Sequence, residues 1–146
     1  MKHLCIYHAG CPDGFGAAWA TWRAWEGQGD FIARGHDDQL DPRIAEGALL
    51  AFVDIAPSTA ELEVLADAAA HLIILDHHVT NQERILADAE LMEALRDRGH
   101  EIHFDMKRSG AMMAWNHFMP NEAPPPLLQY VQDQDLWNWQ LPESRA

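Results

Sequence analysis

The chain has 146 residues, with an apolar fraction of 48% and 23% charged residues, a globular composition that fits one domain and excludes an intrinsically disordered acidic tail. Its 10 Lys and Arg stand against 23 Asp and Glu, a formal charge of −13 with the nine histidines neutral, and so acidic a surface repels extended duplex nucleic acid unless bound cations invert the local field. No stretch approaches the roughly 20 apolar residues of a membrane helix, and Cys5 and Cys11 fit neither a disulfide framework nor a paired redox or zinc motif, so the chain reads as a cytoplasmic protein with no membrane partner.

Short apolar runs alternate with longer amphipathic segments, the pattern of βαβ units. The run from His3 to Tyr7 predicts a first strand, and Gly14 to Glu26 a helix with Phe15, Trp19, Trp22 and Trp25 at helical spacing and the three tryptophans packed on the sheet. Strands at Asp30 to Arg34 and Leu49 to Val53 follow. The sequence Ser58-Thr59-Ala60-Glu61 is a capping box that opens a helix to about Ala70. A strand from His71 to Leu75 precedes one long helix capped by Asn81 and ending near Arg98. The last strand spans Glu101 to Phe104, Ser109 caps a helix to about Phe118, and the Pro124-Pro125-Pro126 run starts another near Leu127. The expected fold is α/β: an open, mostly parallel sheet with helices on both faces, a Rossmann-like three-layer sandwich.

Polar residues collect where the predicted strands end. The first strand runs into His8-Ala9-Gly10-Cys11-Pro12-Asp13-Gly14, the third ends in Asp54, and the fourth in the triplet Asp76-His77-His78. In an open parallel sheet these carboxyl ends face one crevice, where such folds place ligands. Carboxylates gathered there repel one another, and a pair of divalent cations about 3.5–4 Å apart relieves them. Oxygen donors with some imidazole suit Mn²⁺ or Mg²⁺, with Co²⁺ and zinc as alternatives. Lys107, Arg108 and the start of the Ser109-Gly110 helix offer cationic and N–H donors for a substrate phosphate. Cys11 reads as a small apolar filler.

The three strand-end segments, with Tyr130-Val131-Gln132-Asp133-Gln134-Asp135 near the end, resemble the motifs of the DHH phosphoesterases, whose name is the triplet at Asp76, His77 and His78. The likeness covers nearly the whole chain as the family's N-terminal catalytic domain, residues 1–146, and its wording is closest to exopolyphosphatase-like and oligoribonuclease-like members. It implies that His8 and Asp13 hold one metal, that Asp54 bridges two, and that His77 and Asp133 hold the second. By the same likeness, His78 faces the scissile phosphate and Asp76 orients an imidazole. Arg108 is counted with His78 and Asp76 among the catalytic groups, and Lys107, Arg108, Ser109 and Gly110 among the substrate-binding ones.

The implied activity is metal-dependent hydrolysis of a small phosphorylated substrate by a metal-activated water. The substrate would be a short oligonucleotide or other very short single-stranded nucleic acid, a cyclic dinucleotide or polyphosphate; the cofactor is two Mn²⁺ ions, with Mg²⁺ or Co²⁺ as alternatives. Two departures stand out. The family's opening motif has a second aspartate where this chain has Gly10 or Phe15, so one metal site is weaker or draws on the loop His36-Asp37-Asp38. The family's C-terminal DHH-associated domain has no counterpart in these residues, so the chain is expected to be either a fragment of a longer protein or a single-domain form that binds substrate by other means, a homodimer among them. A catalytically weakened metal- or nucleotide-binding domain and a regulatory interaction module are the alternatives.

Overall fold

A computed structural model describes residues 1–35 and 38–136; the expectation placed on His36 and Asp37 falls outside them. Strands β1 (His3–His8), β2 (Asp30–Arg34), β3 (Leu49–Val53), β4 (His71–Asp76) and β5 (Glu101–Phe104) form one sheet in the order β2-β1-β3-β4-β5. Every pairing is parallel, and the register sets Ile6 opposite Ile32 and Phe52, Phe52 opposite Ile74, and Ile74 opposite Ile102.

Successive side chains of a strand point to opposite faces, and here both faces are covered. Leu4, Ile6, Leu50, Phe52, Leu72 and Ile74 lie in one apolar cluster with Leu62 and Leu65 of α2 (Thr59–Ala68), Ile85 of α3 (Val79–Leu86) and Leu91 and Leu95 of α4 (Ala89–Asp97). Cys5, Ala51, Val53, Ile73 and Leu75 lie in the other. Their partners are Ala17 and Ala20 of α1 (Pro12–Ala24), Ala111 and Trp115 of α5 (Gly110–Phe118) and Leu128 of α6 (Pro126–Asp135). The result is a three-layer α/β sandwich around an all-parallel sheet, and double-sided burial is why the strands read as continuous apolar runs.

The capping box at Ser58 forms, and its Glu61 also tethers the edge strand β2. Arg34 Nη1 and Nη2 donate to Glu61 Oε2 and Oε1 at 3.1 and 2.5 Å, with Arg34 buried and Glu61 partly so. The single long helix expected from Asn81 to near Arg98 is instead two. The Asp88 carboxylate accepts from Leu91 N at 3.1 Å and opens a new helix, while Asn81 lies inside α3 and its amide donates to Asp76 Oδ2 at 2.7 Å. Trp115 is buried and stacked on Trp19, with centroids 6.0 Å apart. Trp22, expected on the sheet, is instead exposed, as is Phe15. No helix among the described residues is long and apolar enough to cross a membrane.

Candidate metal centre

The strand order reverses between β1 and β3, and at such a switch point a crevice opens at the carboxyl ends of the strands. His8 is the last residue of β1, Asp54 follows β3, and Asp76 ends β4 with His77 and His78 directly after it. Asp54 turns the chain in the left-handed region, φ 60°, a conformation that Asp tolerates better than most residues. Its carboxylate is thereby held inside, 1% exposed. Gly110 leaves it room: a Cβ there would lie 2.5 Å from Asp54 Cβ and Oδ1.

Asp54 links two groups of donors through its two oxygens. His77 Nε2 lies 2.9 Å from Oδ1, and His8 Nδ1 lies 3.4 Å from Oδ2. Around His77, the same Nε2 is 3.1 Å from Asp13 Oδ2 and 3.6 Å from Asp135 Oδ2. The donors thus fall into His8, Asp54 and His78 on one side and Asp13, His77 and Asp135 on the other. Within each trio the donor atoms lie within 4.8 Å of one another.

This grouping differs from the expected pairing: His78 stands with His8, and Asp13 with His77. On α6 the carboxylate beside His77 is Asp135; Asp133, two positions and about 200° away on the helix, is buried, 5% exposed, and belongs to neither trio.

Helix α5 does not present its first N–H groups to a substrate. Gly110 N and Ala111 N each donate to Asp13, at 2.8 Å to Oδ2 and Oδ1, while buried Ser109 caps the helix through Met112 N and donates its own N–H to Gln132 Oε1. The N–H groups of the expected phosphate cradle are therefore already engaged, Gly110's by Asp13 and Ser109's by Gln132. Lys107 and Arg108 remain exposed just before the helix. Lys107 N and Arg108 Nη1 donate to Asp105 at 2.9 and 2.8 Å. Asp38, from the loop considered as a ligand source, accepts from Gly35 N at 2.8 Å.

Asp76 is fully buried and spends both oxygens on its neighbours. Oδ1 accepts from His77 N at 2.9 Å and faces His78 Nδ1 at 2.6 Å, and Oδ2 accepts from Asn81. The contact fixes the His78 ring with its Nδ1 toward Asp76. Cys11, expected to be filler, caps α1: its Sγ accepts from Gly14 N at 3.2 Å and its thiol reaches Asp54 Oδ2 at 3.5 Å. Burial, with the Asp54 charge adding to it, pushes this thiol up to about 11.

Electrostatics mark the cluster as crowded. Burial opposes a charge on His77, but Asp13 and Asp54 outweigh it and push the imidazole up to about 10. Burial and the charge of Asp13 hold Asp54 above the usual carboxylate range despite its bond to His77, and burial and Asp13 likewise raise Asp135. Three carboxylates press on one imidazolium, a donor set that divalent cations with a preference for oxygen and imidazole fit.

The molecule is thus an α/β protein with an Asp- and His-lined crevice at its switch point. No family model and no solved structure matches the chain. An uncharacterized protein of Acanthamoeba polyphaga mimivirus is 25% identical over 155 aligned positions, which cover 97% of this chain and 35% of the viral protein. The chain therefore spans about a third of that relative's length.

Proposed function

We propose that the chain is a divalent-metal-dependent phosphoesterase of the DHH kind, with His8, Asp54 and His78 holding one ion and Asp13, His77 and Asp135 the other. The observation that carries this reading is that His8 and His77 face different oxygens of one carboxylate, Asp54, and each belongs to a separate trio of donors, so that six residues from four segments of the chain gather at one crevice. Bound ions, Mn²⁺ first and Mg²⁺ or Co²⁺ as alternatives, would lower the pKa of a water to near neutrality and offset phosphoryl charge. Asp135 answers the missing aspartate of the opening motif.

The protein's own part is positioning. Asp76 sets the His78 ring, the α5 N–H groups set Asp13, and Gly110 leaves space for Asp54. Lys107 and Arg108, exposed before α5, are the cations within the chain suited to a substrate phosphate. The acidic exterior favours a small substrate, a short oligonucleotide, cyclic dinucleotide or polyphosphate end, over a long polyanion.

A screen of such substrates with Mn²⁺, run beside His77→Ala, tests the reading. Turnover lost in the variant by at least about 100-fold supports it. Metal binding with no turnover of any substrate assigns the chain to the non-catalytic class, and turnover unchanged in His77→Ala refutes the site.

A further inference from the structure

A second cluster of metal-ligating side chains lies outside the crevice, on the edge strand β5. Glu101 Oε1 is 3.3 Å from His103 Nε2 and 3.1 Å from His117 Nε2, and the three donor groups come within 4.8 Å of one another. Glu101 and His103 share a face of β5 because they are two residues apart. His117 reaches them from the last turn of α5. The other carboxylate oxygen is pinned by His71, the first residue of β4, whose Nε2 is 2.7 Å from Oε2.

Glu101 stands three residues before Phe104, which pairs with Asp76, so the cluster is about 10 Å back along the sheet from the crevice. Its composition, two imidazoles and one carboxylate, matches the crevice trio of His8, Asp54 and His78 and is richer in imidazole than the trio around His77. Bond lengths of about 2.0–2.1 Å to zinc put the donors of a tetrahedral site about 3.3 Å apart, which is the spacing found from Glu101 to each histidine.

We infer that Glu101, His103 and His117 form a separate binding site for Zn²⁺ or a similar imidazole-preferring divalent ion, tying the end of α5 to the edge strand. One further feature fits it. His103 and His117 line an open cleft of about 470 Å³, shared with Arg108, which leaves the remaining coordination positions reachable by water or an anion. Imidazole donors select borderline ions over Mg²⁺, so this site would hold Zn²⁺ against excess Mg²⁺.

The test is a Zn²⁺ titration of the chelator-stripped full chain against a competing chromophoric chelator, with Mg²⁺ in excess. Wild type is run beside His103→Ala, Glu101→Gln and His77→Ala. His103 is half exposed, and far-UV circular dichroism checks that each variant is folded. The expected result is one equivalent of Zn²⁺ lost, or bound at least tenfold more weakly, in both His103→Ala and Glu101→Gln, and retained in His77→Ala. A Zn²⁺ isotherm unchanged from wild type in either His103→Ala or Glu101→Gln overturns the inference.

Discussion

Buried, doubly engaged Asp76 decides the orientation of His78, and its effect can be separated from metal ligation. Asp76→Asn preserves shape but removes the charge that holds the His78 ring. Losing such an outer carboxylate typically costs about 10–100-fold in metal affinity or activity, and that loss in Mn²⁺ affinity, read by isothermal titration calorimetry, is the expected outcome. An affinity within twofold of wild type would show that His78 does not depend on Asp76. At this scale the sequence was readable where a residue followed a strand, as at His8, Asp54 and His77. It was not readable where the answer lay in a rotation about a helix: Asp133 and Asp135 are chemically identical, and only the packing of α6 turns the first inward and the second toward His77. The roles of Gly110 and Ala111 were hidden for a similar reason, since a helix N-terminus suits a substrate anion and a side-chain carboxylate alike, and only the tertiary contact with Asp13 distinguishes them.

Among the elements, the edge strand β2 depends on the Arg34–Glu61 pair, which links it to α2 through a charge on each side. Glu61→Leu leaves the Arg34 guanidinium buried without its partner and is expected to cost about 3–5 kcal/mol, measured by urea unfolding at neutral pH. Burial raises Glu61, but the bonds from Arg34, Leu40 N and Ser58 N outweigh it and hold the carboxyl below its ordinary 4.5. A carboxyl lowered on folding contributes stability that is complete above pH 4.5 and fades as pH falls through its folded value. The gap between wild type and Glu61→Leu should therefore be constant near neutrality and shrink on acidification below about pH 4.5; a gap that widens there would contradict the pairing. The five strands stood out in the sequence through their apolar runs, and the Ser58 capping box through its spacing. The break between α3 and α4 did not, because Asp88 sits in an amphipathic stretch whose period continues across it, and a cap is visible only once the backbone turns.

For the molecule as a whole, the order β2-β1-β3-β4-β5 is what gathers residues from positions 8 to 135 into one crevice. The parallel three-layer architecture was legible from alternation alone. The partition of the ligands was not, since it follows from which loop crosses which, and that is a property of the assembled sheet. The central claim is that this crevice binds divalent ions through Asp54. Crystals grown with Mn²⁺ and examined by anomalous diffraction address it directly: the account predicts manganese peaks in contact with Asp54 and with His8 or His77, whereas a Mn²⁺-saturated crystal with no peak touching Asp54 would contradict it.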